Sequence, residues 1–192
     1  MTKKTKTYIA VYCGSSLGVN PRFAEDAREV GKLIAESDFS LVYGGGSVGL
    51  MNEAANAALK LGGDVVGVIT RKLLSMEVGH KSLTCLHIVE TMQERKALMN
   101  DYASAFAILP GSIGTFEEVF EVMVLNQLNY MNKPIAFLNT DGFFDKLIEF
   151  LQNVRANGFM WDNTYESLYF ANSPTELMDY ISSRLDQINN QI

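Results

Sequence analysis

Residues 103–109, ASAFAIL, run straight into Pro110-Gly111-Ser112-Ile113-Gly114-Thr115-Phe116-Glu117-Glu118. The apolar run predicts a buried strand, and Phe116 to Met131 predicts a helix. A Gly-rich strand-to-helix turn ending in Gly-Thr aims several backbone N–H groups and one hydroxyl at one spot. That spot is the positive end of a helix dipole and suits a phosphate. No lysine follows Gly114, so the loop is not a Walker loop. Glu117, Glu118 and Glu121 follow within two turns, which puts carboxylates beside the phosphate cradle. Any one acid there would also stabilise the helix start.

Working outward, apolar runs alternate with helical patterns. Strands are predicted at Tyr8–Cys13, Ser40–Tyr43, Asp64–Ile69, His87–Val89, Ile135–Leu138 and Leu168–Phe170. Helices are predicted at Pro21–Glu36, Gly49–Leu61, Thr91–Tyr102 and Phe143–Asn157, with a last one from Pro174. Asn20 and Ser173 are the expected caps of two of these, each followed by proline at the first helical position. Continuously apolar strands separated by helices imply a parallel sheet covered on both faces. The fold expected is a single doubly wound, Rossmann-like α/β domain spanning residues 1–192, with ligands bound beyond the carboxyl ends of the strands.

Of the 192 residues, 47% are hydrophobic, enough for one sizeable core, and the net charge of −6 disfavours a general nucleic-acid binder. The two cysteines, Cys13 and Cys85, form no CxxC pair and read as reduced thiols of a cytoplasmic protein. A short basic start is followed by too few apolar residues for a signal peptide or a spanning helix, so no membrane association is expected. His80 and His87 match no metal-ligand spacing, and nothing calls for a metal or cofactor.

Two further turns follow strands. One is Gly14-Ser15-Ser16. The other, Gly44-Gly45-Gly46-Ser47-Val48-Gly49, satisfies GxGxxG, with Asp64 downstream where a dinucleotide fingerprint would want an acid. Yet Asp64 starts a strand instead of ending one, and the motif sits in the second βα turn. A mononucleotide loop is the better reading, with a purely structural turn as the alternative. Thr91-Met92-Gln93-Glu94-Arg95-Lys96 opens another helix. Arg95 and Lys96 read in isolation as solvated charges; paired with the downstream loop, one of them could meet an anion. The helix from Glu118 to Met131 is apolar nearly all round, which implies burial on both sides and hence a homodimer; a wholly internal helix is the alternative.

Together these segments resemble the Lonely Guy family of cytokinin riboside 5′-monophosphate phosphoribohydrolases almost end to end. Val11 to Ser16, Val42 to Met51, Gly62-Gly63 with Gly67-Val68-Ile69, Glu94-Arg95-Lys96 and Pro110 to Glu118 follow the family's motifs in order, the last matching PGGxGTxxE. The resemblance implies hydrolysis of the N-glycosidic bond of a purine nucleoside 5′-monophosphate, a cytokinin nucleotide or AMP, to free base and ribose 5-phosphate. It implies Arg95 and Glu118 as the catalytic pair, and Gly111, Gly114 and Thr115 as phosphate holders. Gly14, Ser15, Gly45, Gly46, Met92, Lys96, Ser112 and Ile113 complete the expected substrate contacts. A carboxylate at Glu118 would stabilise oxocarbenium character on the ribose and orient or deprotonate water, with Arg95 fixing the carboxylate or the phosphate. The departures are Ser112 for the second glycine of the signature, Gln93 for a common His, Ser104 for a usual Asp and Thr70 for a Pro. A non-catalytic nucleotide binder on the same scaffold is the competing reading. An amino-acid decarboxylase has no support, because no lysine stands out for a Schiff base.

Overall fold

The computed structural model describes residues 6–76 and 79–190. Most of the basic start lies outside them. Seven strands form one all-parallel sheet in the order β4-β3-β2-β1-β5-β6-β7. They are β1 (Tyr8–Tyr12), β2 (Ser40–Tyr43), β3 (Val65–Thr70), β4 (Cys85–Val89), β5 (Ala103–Ile108), β6 (Ile135–Leu138) and β7 (Leu168–Ala171). The helices are α1 (Pro21–Glu36), α2 (Gly49–Lys60), α3 (Arg71–Met76), α4 (Met92–Tyr102), α5 (Ile113–Gln127), α6 (Asp145–Ala156), α7 (Asp162–Glu166) and α8 (Pro174–Asn189). The sequence reading missed α3 and α7, which are too short to show a period.

Strand alternation sorts the core into two layers. Ile9 and Val11 of β1, Leu41 and Tyr43 of β2, and Ala105 and Ala107 of β5 face α1, α2 and α8. Ala10, Tyr12, Val42, Phe106 and Ile108 face the opposite way, against Met99 of α4, Val119 and Val122 of α5, and Leu151 of α6. The chain winds outward from β1 to β4, then returns to place β5 on the other side of β1. The crevice between β1 and β5 is therefore the point where the winding reverses, the place where open α/β sheets bind ligands.

Caps set the helix ends as expected at two places. Asn20 Oδ1 accepts from Arg22 N at 3.0 Å, and Ser173 Oγ from Glu176 N at 3.2 Å. Thr91 and Glu94 form a reciprocal capping box on α4. The helix expected from Phe116 to Met131 is displaced: α5 starts at Ile113 and stops at Gln127. It starts early because the chain is extended only as far as Ser112, whose carbonyl accepts from Phe116 N at 3.0 Å and closes the first turn. It stops because Asn129 turns left-handed (φ 59°) and Tyr130 N donates back to Leu125 O at 2.9 Å, a Schellman closure.

Asp64 ends up at the amino end of β3, paired with Lys6, whereas the Gly44 loop leaves the carboxyl end of β2. The two lie at opposite edges of the sheet, so Asp64 cannot serve a ligand on that loop.

Candidate active site

The loops after β1 and β5 are tied together, with Gly14 N donating to Pro110 O at 3.0 Å. Beside them, at the carboxyl edge of the sheet, lies a cavity of about 240 Å³. Its lining includes Gly14, Ser15, Gly44, Arg95, Thr115 and Glu118. The N-terminus of α5 opens into it at Ser112, Gly114 and Thr115. First-turn N–H groups have no partner within the helix, so this wall presents donors to an anion. Ser112 adopts φ −125°, and its side chain makes no cap bond. A side chain at this position therefore carries no backbone strain.

Gly111 sets the shape of the turn. A Cβ there would run into the Thr115 side chain and approach Gly14 N to 3.0 Å. Thr115 itself is buried, which fixes its hydroxyl under the loop.

Arg95 comes from the second turn of α4 and Glu118 from the second turn of α5. Arg95 Nη1 donates to Glu118 Oε1 at 2.7 Å, and Arg95 Nε donates to Val68 O of β3 at 3.0 Å. Both side chains are mostly buried, 8% and 12% exposed. Gly44 makes room for this guanidinium, because a Cβ at 44 would overlap Arg95 Nη2. Burial pushes the Glu118 carboxyl above its ordinary range, with the charge and hydrogen bond of Arg95 pulling the other way. Burial likewise raises the Cys13 thiol and the Tyr12 phenol, each helped by the nearby Glu118 charge. Both stay neutral beside the ion pair.

Behind the pair runs a polar chain. Tyr12 Oη donates to Asn100 Oδ1 at 3.0 Å, and Asn100 Nδ2 donates to Glu121 Oε1 at 3.4 Å. Lys96 pairs with both Glu117 and Glu121, bonds that raise its pKa.

The structure thus brings Gly14, Ser15, Met92, Arg95, Ser112, Gly114, Thr115 and Glu118 to one cavity. Gly45 and Gly46 are buried and do not line it. Gly45 packs on β3 and its carbonyl accepts from His80 N at 3.2 Å, while Gly46 O accepts from Tyr43 Oη at 3.1 Å. Lys96 turns to its two glutamates, Ile113 points into solvent at 83% exposure, and Gly111 faces an adjoining hollow. The sequence reading placed Glu117 beside the cradle and Gly44 in a ligand loop, but it missed Cys13, Met51 and Leu73 as wall residues. Gly44 was legible as a glycine immediately after a predicted strand; Leu73 was not, because it rides on the unrecognised α3. The departures at 93 and 104 lie off the wall: Gln93 is exposed, and Ser104 sits at the amino end of β5, the far edge of the sheet. Thr70 has a local task, its Oγ1 accepting from Leu73 N at 3.2 Å to cap α3.

Residues 51–181 match a protein family described as "Possible lysine decarboxylase". The chain is 41% identical over 159 residues to the cytokinin riboside 5′-monophosphate phosphoribohydrolase of Rhodococcoides fascians, covering 82% of this chain and 80% of that protein. An Arabidopsis thaliana protein of the same name is 37% identical over 180 residues, covering 94% and 84%. A rice counterpart is 39% identical over 170 residues, covering 88% and 70%. Among solved structures, the molybdenum cofactor binding protein of Rippkaea orientalis superposes with a TM-score of 0.73 at 22% identity, covering 95% of this chain and 99% of that one, a likeness of fold. With a family model matching residues 51–181 and relatives of this identity over most of its length, the chain belongs to the Lonely Guy family of cytokinin riboside 5′-monophosphate phosphoribohydrolases.

Proposed function

We propose that this protein hydrolyses the N-glycosidic bond of purine nucleoside 5′-monophosphates, AMP or its N6-modified cytokinin forms, releasing the base and ribose 5-phosphate. The observation that carries the reading is the buried Arg95–Glu118 pair standing next to the α5 N-terminus in one cavity. The phosphate binds the first-turn N–H groups at Ser112 to Thr115, and its grip positions a carbon that it does not touch. Glu118 faces the sugar. As the bond to the base lengthens, positive charge grows on the ribose ring, and a carboxylate held rigidly by Arg95 stabilises it without reorganising. The same carboxylate orients or deprotonates the attacking water, and the leaving base takes its proton from water.

A decarboxylase working through a Schiff base would need a lysine in the cavity. None of the described lining residues is a lysine, and Lys96 nearby is held by two carboxylates.

The protein acts as a homodimer in this reading. One face of α5 is buried at Val119, Val122 and Met123; Phe120, Val124 and Leu128, four residues apart, form an apolar stripe on the outer face, exposed by 38%, 52% and 52%. A second copy is the occupant the proposal assigns to that stripe. The unpaired thiols Cys13 and Cys85 fit action in the cytoplasm. No described helix is long and apolar enough to cross a membrane.

The test is chromatographic. The purified protein, incubated with AMP and with isopentenyladenosine monophosphate, releases adenine or isopentenyladenine, and Glu118→Gln lowers release by about 10² to 10³-fold while remaining folded. Absence of free base across a panel of nucleoside monophosphates would remove the proposal.

A further inference from the structure

The turn from Gly44 to Gly46 makes room for the Arg95 guanidinium, and three contacts hold that turn. Gly46 O accepts from Tyr43 Oη at 3.1 Å. Gly45, left-handed at φ 77°, packs against Val68 and Ile69 of β3. Gly45 O accepts from His80 N at 3.2 Å, with an antiparallel bridge between Gly46 and Gly79 alongside. His80 is itself pinned at both ring nitrogens. Ser82 N donates to Nδ1 at 3.3 Å, and Nε2 lies 3.1 Å from Asn56 Oδ1 of α2. Nδ1 is therefore the acceptor, while Nε2 carries the proton and donates to Asn56. The residue is buried, 7% exposed.

We infer that His80 is a positioning residue for the Arg95–Glu118 pair, acting through the Gly44–Gly46 turn and only as the neutral imidazole. The role rests on the reaction proposed above. A proton on Nδ1 sets two donors, Nδ1–H and Ser82 N–H, against each other in a buried place, so the charged ring leaves its seat. With it goes the hold of His80 N on Gly45 O, and the turn beside Arg95 loses one of its three supports. Burial lowers the His80 pKa, which keeps the ring neutral at neutral pH. The charged groups near it are Lys81 on its own segment, and Glu53 and Lys60, which flank Asn56 on α2; Glu53 is engaged with Arg28 of α1. α3 and β4 present Leu74 and Leu86 to the segment at Gly79. Among the described residues no carboxylate bonds the ring to keep a proton on it.

The test compares wild type with His80→Asn, whose amide oxygen can accept from Ser82 N–H but takes no proton. In both, kcat/KM for AMP is measured from about pH 7.5 down to about pH 5. The Glu118 limb is common to the two and cancels in their ratio. The ratio of wild type to variant should fall about threefold or more toward acid, the response of a single titrating histidine. Hydrogen exchange supplies a second readout on the intact chain. Peptides covering residues 43–48 and 79–83 of wild type, corrected for the intrinsic effect of pH, should lose protection over the same range, and those of His80→Asn should not. A ratio that stays flat, or protection that is the same at both ends of the range, overturns the assignment; a histidine that merely fills space would lower the variant equally at every pH. Should wild type release no base from any nucleotide, the reaction fails and the exchange experiment alone decides the positioning. Should His80→Asn not fold, the wild-type exchange series across pH decides it.

Discussion

Arg95 and Glu118 stand 23 residues apart in sequence and meet at 2.7 Å between Nη1 and Oε1, both largely withdrawn from water. The guanidinium is held at a second point by Val68 O, at 3.0 Å, so the carboxylate is aimed by a group that is itself anchored to the sheet. A buried pair of this kind is poor evidence of stabilisation, since desolvating two charges offsets much of their attraction. In the proposed reaction the pair instead places a charged carboxylate where a cationic transition state would form.

Glu118→Gln keeps the volume and the acceptor oxygen but removes the charge. Base release should fall by a factor of about 10² to 10³ in kcat, the scale of losing one electrostatic stabiliser. Nucleotide affinity should change little, because the phosphate end is untouched. Steady-state kinetics with AMP, together with calorimetric binding, check both halves. Glu118→Ala is the harsher variant: it strands a buried guanidinium and should cost about 3 kcal/mol or more of stability.

The pH dependence follows from the raised Glu118 carboxyl. The active form is the carboxylate, so kcat/KM should climb with pH through a value above that of an ordinary glutamate. Arg95→Met removes the opposing pull and should move this acid limb to still higher pH. Stability runs the other way. The fold favours the protonated acid relative to the unfolded chain, so the Glu118 contribution is present at low pH and is lost as pH rises through the folded-state value. The stability of Glu118→Gln relative to wild type should therefore improve from acid to neutral pH, as urea titrations at several pH values would reveal.

How much of this was legible beforehand differs from one element to another. The strands were, because a buried parallel sheet writes itself as continuous apolar runs such as Ala103 to Ile108. The caps at Asn20 and Ser173 were, because their chemistry is local. The start of α5 was not: Pro110, Gly111 and Ser112 read as loop, and Gly114 disguised the first turn of the helix. Arg95 and Glu118 were named through the resemblance, but their meeting follows from the crossover of α4, which packs over β3, β2 and β1 on its way from β4 to β5 and so brings Arg95 back toward the start of α5. Gly45 and Gly46 read either as ligand glycines or as a structural turn, because cradles and tight turns share a composition; the packing of Gly45 on β3 sets it off the cavity wall.

Two glycines of the α5 turn should respond in opposite ways. Gly111→Ala drives a Cβ into Thr115 and toward Gly14 N. It should lower the melting temperature and weaken phosphate binding at least tenfold. At Gly114 a Cβ meets nothing within 4 Å and φ is not left-handed. Gly114→Ala should fold at least as well as wild type, with a gain of up to about 1 kcal/mol from helix propensity. Thermal melts of the two variants, with and without inorganic phosphate, distinguish a turn that needs the glycine from one that merely contains it.

The stripe Phe120, Val124 and Leu128 sets the last expectation. A single copy leaves these side chains facing water on the same helix that carries Glu118. If two copies bury this stripe against each other, a charge at its centre is repeated on both sides of the interface and repels itself. Val124→Asp should then sediment as a monomer where wild type sediments as a dimer, with the far-ultraviolet spectrum unchanged because residue 124 is outside the core. Catalysis gives a second readout. α5 holds both Glu118 and the turn proposed to bind phosphate, so losing its outer support should raise KM for AMP more than it lowers kcat. A wild-type protein that sediments as a monomer at micromolar concentration would contradict the dimer, and the stripe would then need another partner.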